Sequence, residues 1–587
     1  MKKENITLSL DDNRRLTGRN LLSDQPGAII DAFVSGIDKS TVVTVWTTYV
    51  KQLLKAVNWS DEKTFFRIFE DGVSLAISAP LDALYAACDL NELAWQLACD
   101  ELTQTSNEES SSAAINRLKK AIAEEVNPKL LELINQSTSK NIVYLVDDDE
   151  FSLGYGTTAQ SWPISALPDV SSLNWSQYKS IPLAYVTGTN GKSTSVRIMS
   201  QIIKQAGKCC GVTSTDFIRV GDNIIDHGDY SGPGGARMLL RHPDTETAIL
   251  EVARGGILRR GLPIDNVDAA LITNIAEDHL GQYGINTVSA LAQAKAVVAK
   301  GLLPNGENKG QENNRQSSDQ SKGRLVLNAD DEHLVALAPE LPVTKSWFSL
   351  HEDNAILQQH KQKGGAVCFV REQQLVYSYD NEESVIIAVN DIPMTLNGAA
   401  LHNIQNALGA IALAKCLNIE NKAIKIALSN FASNVEDNPG RGNHFSVKNA
   451  EVIMDFAHNV HSMEAMAVTT ANMNAQRKFL MLSHAGDRTN NEIINMTKTA
   501  LKMKPDFIVA AELVPYLRGR ALGEIPQLIV DTALAYGMKR DNIYIADSPY
   551  EGAKHIVEQL HEKDLALLMV LSDREEIIEL LLDKAFV

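Results

Sequence analysis

Residues 182–206 read PLAYVTGTNGKSTSVRIMSQIIKQA, and they set the architecture expected of the surrounding chain. The short apolar run Pro182–Val186 predicts a buried strand, and the periodic segment that ends near Ala206 predicts a helix. Between them lies the glycine-rich loop Gly188–Thr194. A loop placed after a strand and before a helix offers backbone N–H groups and a helix N-terminus to phosphate oxygens.

The same loop supplies two side chains suited to phosphate binding. Lys192 is long enough to reach the β- and γ-phosphates of a nucleotide, and the Ser193 hydroxyl is a suitable ligand for Mg²⁺. The loop departs from the full P-loop pattern because Val186 stands where that pattern has its first glycine. The competing interpretation is a glycine-rich turn without a ligand. The candidate nucleotide-binding residues are Gly188, Thr189, Asn190, Gly191, Lys192, Ser193 and Thr194.

The order of apolar run, polar loop and helix recurs along the chain. Ala248–Leu250 and Ala269–Ile272 predict two more buried strands, and the alternation resumes after a second boundary near residue 436. Such alternation predicts mostly parallel sheets with helices on both faces. The fold class we expect is α/β with three domains. They are a separate N-terminal α+β domain at 1–175, a central P-loop ATPase domain at 180–435 and a smaller Rossmann-like domain at 436–587.

The remaining segments carry weaker signals. Within the first 175 residues, the pattern predicts a helix over Leu81–Leu102 and a strand over Ile142–Val146. No group of residues there suggests chemistry, and we expect this domain to contribute to substrate binding. Residues 304–323 contain no hydrophobic residue, so they predict a disordered insertion that no core holds in place.

Charge and composition exclude several classes of protein. The formal net charge is −18, whereas a protein that coats nucleic acid or an anionic membrane needs a basic surface. We therefore expect neither nucleic acid nor membrane as a partner, and no run of 18 apolar residues suggests a membrane span. The six cysteines are scattered and form no CxxC pair, which favours reduced thiols and a cytoplasmic location. A homo-oligomer is compatible with the sequence.

Loops that follow the predicted parallel strands are expected to meet at one crevice, because ligands bind beyond the carboxyl ends of such strands. Glu251 ends the second strand, and Asp278 and His279 follow the third. A carboxylate and a neutral imidazole there would hold Mg²⁺ near a γ-phosphate. Taken alone, His279 is more often an ordinary loop histidine, and its position relative to the P-loop is what favours the metal role.

Several motifs occur in the order in which Mur ligases carry them, so the sequence resembles that family, which includes the peptidoglycan amino-acid ligases and folylpolyglutamate synthetase. These motifs are Gly188–Thr194, Asn274–Gly281, His402–Asn406 and Asp455–Asn459. Within the family, the resemblance is greatest to the Mur-ligase-like C-terminal half of cyanophycin synthetases. The residues that carry this second likeness are Gly228–Gly234, Glu251–Leu262, Asn438–Arg441 and Ala485–Arg488.

The resemblance implies an enzyme that transfers the γ-phosphate of ATP to a carboxylate. An amine then attacks the acyl phosphate and forms an amide or isopeptide bond. The implied cofactors are ATP and Mg²⁺, and the implied substrates are a small-molecule or peptide carboxylate and an amine, in a cyanophycin-like pathway. A folylpolyglutamate- or peptidoglycan-type ligase is the first alternative. A nucleotide-binding protein that assists a separate ligase without catalysing ligation is the second.

The resemblance also assigns roles to residues at matching positions. Lys192 and Ser193 would handle the triphosphate and the first Mg²⁺, with Glu251 and His279 as further Mg²⁺ ligands. Lys295 falls where many Mur ligases carry a carbamylated lysine that binds a second metal ion, and an exposed helix lysine is the alternative interpretation. The implied catalytic residues are Lys192, Glu251, His279 and Lys295, and the implied metal ligands are Ser193, Glu251 and His279.

Three further residues would contact the nucleotide: Asn406 the adenine, Arg441 a phosphate and Asp455 the ribose. Asp455 ends a predicted strand, where a ribose-binding carboxylate is physically sensible. The sequence departs from the family pattern close to these residues. Val460 replaces the usual proline and alters a turn without removing a functional group, and Ala400 stands where glycine often precedes the His-Asn pair.

A basic cluster follows Glu251. A solvated face is the default interpretation of a charge run, but this position favours contact with a carboxylate substrate, for which arginine has the matching fork of donors. His458 and His461 are three residues apart, and without a third ligand in view they favour packing or nucleotide contact over a metal pair. The candidate substrate-binding residues are Arg254, Arg259, Arg260, His458 and Arg488.

One large departure concerns the region before the resembling part. Cyanophycin synthetases carry an ATP-grasp domain there, whereas the first 175 residues of this sequence show no glycine-rich ATP-grasp loop. We therefore expect that the chain is not a complete cyanophycin synthetase of the usual layout.

Overall fold

The computed structural model describes residues 6–105, 111–302 and 323–585. The insertion predicted at 304–323 lies outside these residues except for Gly323, which is buried. Among the described helices, none combines the length and the apolar character needed to cross a membrane.

The N-terminal region is α+β, as the sequence predicts. Its elements are β1 (Thr7–Leu16), β2 (Gly27–Ser35), α1 (Lys39–Ala56), β3 (Thr64–Phe69), β4 (Gly72–Ser78), α2 (Leu84–Thr103), α3 (Ser111–Glu125), α4 (Pro128–Ser139), β5 (Tyr144–Val146), β6 (Glu150–Leu153) and β7 (Gln160–Pro163). The first four strands form an antiparallel sheet in the order β1-β2-β4-β3. One face of it packs on α1 and α2 around the buried Trp46, whose indole N–H donates to Asn91 Oδ1 at 3.0 Å.

A second small core follows in the same region. The strands β5, β6 and β7 form a three-stranded antiparallel sheet, and Phe151 from β6 is fully buried against α4 and the irregular segment up to Tyr178. The helix predicted over Leu81–Leu102 is present as α2, and the strand predicted over Ile142–Val146 is present as the shorter β5.

The central domain is a large mixed sheet. Its strands are β8 (Leu183–Thr187), β9 (Cys210–Thr213), β10 (Phe217–Val220), β11 (Asn223–His227), β12 (Thr247–Glu251), β13 (Ala269–Ile272), β14 (Arg324–Asn328), β15 (Thr344–Ser349), β16 (Ala366–Arg371), β17 (Gln374–Tyr379) and β18 (Glu382–Ala388). They lie in the order β11-β10-β9-β12-β8-β13-β14-β15-β16-β17-β18. The pairs from β9 to β16 are parallel and the outer pairs are antiparallel, which confirms a mostly parallel sheet.

Helices cover both faces of this sheet. They are α5 (Lys192–Gln205), α6 (Pro233–Leu240), α7 (Arg254–Arg260), α8 (Val288–Ala296), α9 (Glu332–Leu337), α10 (Ala355–Gln362), α11 (Leu401–Cys416) and α12 (Asn421–Asn430). One buried cluster joins the sheet to α6 through α10, and another joins it to α5, α11 and α12. Because β8 lies between β12 and β13, the three strand ends that carry the predicted site are neighbours.

The C-terminal domain is a smaller α/β unit. Its elements are β19 (Asn443–Val447), β20 (Ala450–Asp455), α13 (Val460–Ala471), β21 (Lys478–Leu482), α14 (Asn490–Ala500), β22 (Phe507–Ala511), α15 (Glu524–Ala535), β23 (Ile543–Ala546), α16 (Pro549–Gln559), β24 (Leu565–Met569) and α17 (Arg574–Ala585). The strand order is β19-β20-β24-β21-β22-β23, and every pair except β19-β20 is parallel. One cluster packs α13, α14 and α15 on the sheet, and another packs α16 and α17 on the opposite face.

Hydrogen bonds made by Asn438 and Asn443 fix the segment that joins the central domain to the C-terminal domain. Asn438 accepts a hydrogen bond from the buried Arg197 of α5 at 2.6 Å and donates to Thr194 Oγ1 at 3.2 Å. Asn443 donates to the carbonyl oxygens of Ser433 and Asn438 at 2.7 and 2.8 Å. The C-terminal domain is therefore joined to the helix that starts at the P-loop.

Candidate active site

A crevice of about 1170 Å³ lies at the carboxyl ends of β8, β12 and β13 and is closed on its other side by loops of the C-terminal domain. Most of the predicted site residues line it. Those residues are Thr189, Asn190, Gly191, Lys192, Ser193, Thr194, Glu251, Arg254, Arg259, Arg260, His279, Lys295, Arg441 and His458. The convergence expected of loops at the ends of parallel strands is therefore present.

The remaining four predicted residues lie behind this lining and contact it or the residues next to it. Gly188 accepts a hydrogen bond from Lys295, and Asn406 packs against Gly191. Asp455 directly precedes the lining residue Phe456, and Arg488 lies 3.6 Å from Asp278 Oδ1. These four positions are suited to shaping the wall of the crevice, and the contacts with adenine, ribose and substrate expected of three of them stay predictions.

The P-loop is held in shape by the segment that follows β13. The Thr189 and Asn190 amides donate to the Asn274 carbonyl and to Asn274 Oδ1, both at 2.9 Å. In return, the Asn190 carbonyl accepts from Thr273 Oγ1 at 2.6 Å and from Asn274 Nδ2 at 3.1 Å. These hydrogen bonds tie the conformation of the loop to that of the segment after β13.

Glycine is required at Gly191, where α5 begins. Its φ is +81°, in the left-handed region that favours glycine. A Cβ atom at this position would lie 2.2 Å from Asn406 Oδ1 on α11, which is far closer than van der Waals contact. The loop thus runs directly against α11, and this close approach explains why the predicted adenine ligand Asn406 is buried.

Asn190 also ties the P-loop to the C-terminal domain. Its side-chain amide forms a reciprocal pair with the amide of Asn459, with N–O distances of 3.0 and 3.3 Å. Asn190 Nδ2 additionally lies 2.9 Å from His461 Nδ1. His461 is therefore in contact with the P-loop, as the packing interpretation of this histidine expects.

Two lysines donate to carbonyl oxygens of the P-loop. Lys192 Nζ donates to the Thr189 carbonyl at 2.8 Å, and Lys295 Nζ donates to the Gly188 carbonyl at 2.7 Å. Burial lowers the pKa of both, and that of Lys295 falls well below its usual value, with the nearby Lys192 adding to the effect. Lys295 is 5% exposed, so the alternative of an exposed helix lysine is wrong. Its carbamylation stays a prediction.

Glu251 is a buried carboxylate whose nearest polar neighbours are the Lys192 ammonium and the Ser193 hydroxyl, both of which act to lower its pKa. It is 1% exposed, and neither carboxylate oxygen accepts a hydrogen bond from a described residue. Burial raises its pKa, and the Lys192 ammonium opposes the rise. An unpaired carboxylate in such a place is costly unless a ligand completes it. Together with the buried Ser193 hydroxyl, it provides the hard oxygen ligands that Mg²⁺ prefers, so these residues fit the predicted ion.

Asp278, His279 and His458 form a second group of possible cation ligands, whose ligand atoms all lie within 4.8 Å of one another. His458 Nδ1 donates to the Phe456 carbonyl at 3.1 Å, which leaves Nε2 free to accept. Partial burial lowers the pKa of His279, whose side chain is 44% exposed, and burial lowers the pKa of His458 to about 4; both shifts favour the neutral ring that binds a metal ion. The predicted ligand His279 thus gains two neighbours that the predicted metal set did not include.

The three arginines after Glu251 differ in their surroundings. Arg254 donates from Nη1 to the His279 carbonyl at 2.7 Å and from Nη2 to Gln282 Oε1 at 2.6 Å. Arg260 reaches the Arg15 carbonyl of the N-terminal region at 3.4 Å. Arg259 is exposed in the crevice, and its guanidinium bonds no described residue. Arg259 is therefore the member of this cluster whose whole guanidinium is available to a ligand.

The crevice is also lined by charged groups from both domains, one predicted and several that the sequence did not single out. The Arg441 guanidinium lies 4.7 Å from the centre of the Phe456 ring. The lining residues that sequence reasoning missed include Asp216, Asp229, Asp487, Arg518 and Arg574. Asp229 and Asp487 lie inside quoted motifs, which could have marked them. Arg574 begins a helix more than one hundred residues after the last quoted nucleotide motif, and no local pattern marks it.

Comparisons with known proteins match two parts of the chain to one family. Residues 186–414 match the model of the Mur ligase middle domain, and residues 440–570 match the model of the Mur ligase glutamate ligase domain. Cyanophycin synthetase from Crocosphaera subtropica is 34% identical over 369 residues, which are 62% of this chain and 40% of that protein. The corresponding enzyme from a Nostoc species is 34% identical over 349 residues, which are 60% and 37% of the two chains.

For a more distant relative, the match covers a larger share of the relative's length. The UDP-N-acetylmuramoyl-L-alanyl-D-glutamate–2,6-diaminopimelate ligase of Listeria innocua is 21% identical over 400 residues, which are 66% of this chain and 73% of that ligase. The present chain thus spans about two fifths of the length of the cyanophycin synthetases it matches.

The Gly191→Ala variant should bind ATP poorly, because the new methyl group would collide with Asn406 and displace the loop. We expect the Kd for ATP to rise by at least about tenfold, which corresponds to about 1.4 kcal/mol, in isothermal titration calorimetry. Gly207→Ala is the matched control, since Gly207 has φ +77° but open space around it. An unchanged Kd in Gly191→Ala would contradict the steric argument.

Proposed function

This chain belongs to the Mur ligase family, and we propose that it is an ATP-dependent ligase that joins a carboxylate to an amine through an acyl phosphate. One observation carries the proposal. The P-loop and the buried carboxylate of Glu251 meet in one crevice, and that crevice lies between the two domains that match the family. The chain spans only part of the length of these relatives, so their activities are proposed for it here.

We propose that ATP binds with its phosphates on Gly188–Thr194 and that Mg²⁺ binds at Ser193 and Glu251. Asp278, His279 and His458 offer a further set of cation ligands. When bound, Mg²⁺ would neutralise charge on the β- and γ-phosphates. Lys192 would contribute a second positive charge there, once it releases the Thr189 carbonyl to which it now donates.

The proposed reaction has two steps. A carboxylate oxygen of the first substrate forms a bond to the γ-phosphorus, the bond from that phosphorus to the β–γ bridging oxygen breaks, and ADP leaves. The amine nitrogen of the second substrate then bonds to the acyl carbon, inorganic phosphate leaves with the electron pair of the C–O bond, and the nitrogen loses one proton. The protein contributes positioning and charge neutralisation, which are the main requirements of phosphoryl transfer.

We propose an amino acid or a peptide as the source of the carboxylate, in a cyanophycin-like pathway. The names of the relatives and the free guanidinium of Arg259 support this choice, since arginine matches the geometry of a carboxylate. We propose the cytoplasm as the location, because ATP is available there and the six cysteines are free thiols in this structure.

ADP release across a panel of amino acids and peptides should identify a productive pair, and Lys192→Ala should lower that turnover by at least about 10²-fold through loss of charge at the phosphates. Release only with folate or cell-wall precursors would favour the folylpolyglutamate- or peptidoglycan-type alternative. If wild type and Lys192→Ala were equally inactive with every pair, the ligase proposal would fail and a non-catalytic nucleotide-binding role would replace it.

Glu251→Gln should separate stability from activity. Replacing a buried, unpaired carboxylate by a neutral amide of the same shape should leave the Tm of the nucleotide-free protein unchanged or higher. The same change should lower turnover by about 10²-fold or more and reduce the rise in Tm caused by Mg²⁺ and ATP. Scanning fluorimetry and ADP release measure the two effects. Unchanged turnover would exclude Glu251 as a cation ligand.

Asp455 should make ATP binding dependent on pH. Burial raises its pKa to about 6, although Arg441 opposes the rise, so the group accepts a proton as the pH falls through about 6. We expect the affinity for ATP to fall over that range, because a protonated carboxyl accepts fewer hydrogen bonds from the ribose. Calorimetric titrations between pH 5 and 8 measure this, with Asp455→Asn as the control for titration of ATP itself.

The raised pKa of Asp455 also makes the free energy of unfolding depend on pH. Since its folded pKa lies above the unfolded value, the folded state binds the proton more tightly. The free energy of unfolding of wild type, measured against that of Asp455→Asn in urea, should therefore rise as the pH falls from 7 to 5. A constant difference would contradict the raised pKa.

A further inference from the structure

The N-terminal sheet carries a row of buried and half-buried polar side chains on the face opposite α1 and α2. Arg67 on β3 is the cross-strand neighbour of Ser74 on β4, which in turn is the neighbour of Asp31 on β2. Ser74 Oγ donates to Asp31 Oδ1 at 2.5 Å, and Arg67 Nη2 donates to Ser74 Oγ at 3.2 Å. Arg14 from β1 forms a buried ion pair with Asp31 at 2.7 Å. The row therefore presents two arginines toward the central domain.

Both arginines, with a neighbouring phenylalanine, contact the segment that follows His279. Arg67 donates to the Tyr283 carbonyl at 2.5 Å and to the Gly284 carbonyl at 2.7 Å. The Phe69 ring packs on Gly284 so closely that a Cβ there would lie 2.5 Å from the ring. The Arg14 guanidinium lies 4.8 Å from the centre of the Tyr283 ring. The N-terminal domain thus grips this loop at Tyr283 and Gly284.

The gripped loop needs outside support because its backbone is strained. His279 and Tyr283 have φ of +49° and +53°, in the left-handed region that residues other than glycine rarely adopt. Within the loop, the Gly281 amide donates to the Ile285 carbonyl at 2.9 Å. From the central domain, Arg254 holds the His279 carbonyl. Such conformations persist only when the surroundings determine them, and here the N-terminal domain supplies two of the hydrogen bonds to this loop.

We propose that Arg67 is a positioning residue for the candidate active site. By binding two carbonyl oxygens in the loop after His279, it holds the backbone in the conformation that keeps Asp278 and His279 beside His458. The N-terminal domain is then part of the machinery that shapes the site. The kinetic part of the test rests on the proposed function, whereas the structural part does not.

The test compares Arg67→Met with a neighbouring control. In the nucleotide-free protein, hydrogen–deuterium exchange of peptides within 277–287 should become at least about tenfold faster in Arg67→Met, because the loop loses its anchor. In steady-state assays, kcat should fall by on the order of 10²-fold, since misplacement of reacting groups is costly, while the KM for ATP changes little. Arg67→Lys, which retains a donor for one carbonyl, should give intermediate values of both.

Arg15→Met is the matched control. Arg15 follows Arg14 on β1, but its guanidinium pairs with Asp148 at 2.6 Å and covers the Tyr85 ring, away from the loop. Exchange and kcat in Arg67→Met equal to those of Arg15→Met would overturn the proposal. Faster exchange in Arg67→Met spread evenly over the N-terminal domain, with no excess at 277–287, would also overturn it. If wild type turns over no substrate pair, the proposed function fails, and the exchange measurement still decides this inference.

Discussion

The reciprocal hydrogen bonds between the P-loop and the segment after β13 are the constraint on which the site depends. Thr273 and Asn274 donate to the Asn190 carbonyl, and Asn274 accepts the Thr189 and Asn190 amides, so the shape of the loop is tied to this segment. The same segment continues directly into Asp278 and His279. This network of hydrogen bonds therefore sets the distance between the phosphate-binding loop and the candidate cation ligands Asp278 and His279. The N-terminal and C-terminal domains contact the site from either side of it.

Around this frame, the site concentrates groups that a protein core normally avoids. Glu251 is buried and accepts no hydrogen bond from a described residue, Lys295 is a buried amine with a strongly lowered pKa, and His279 has a left-handed backbone. Features of this kind cost stability and gather where function requires them. These three residues lie together at one crevice, at the carboxyl end of β12 and next to it, and this is why we regard the crevice as the reactive part of the molecule.

The fold and the family were predictable from the sequence because their signals are local. The apolar runs before Gly188 and at Ala269–Ile272 became parallel strands, and the motif order predicted the Mur ligase family that the domain matches confirm. The buried state of Lys295 had a signal that was missed, since its helix is rich in alanine on every side. The contact of Arg67 with the loop after His279 had no signal in the sequence, because its partners are backbone carbonyls more than two hundred residues away.

The hydrogen bonds between Asn190 and Asn459 bear on how strongly the two domains are held together at the crevice. Both partners are neutral amides, and water replaces such hydrogen bonds at a small net cost, about 1 kcal/mol for each bond. Separation of the two domains at Asn190 and Asn459 would leave no unpaired charge on the P-loop. The contact at Asn190 is thus made of exchangeable hydrogen bonds between neutral groups, whereas Asn438 joins the same two domains through the charged, buried donor Arg197.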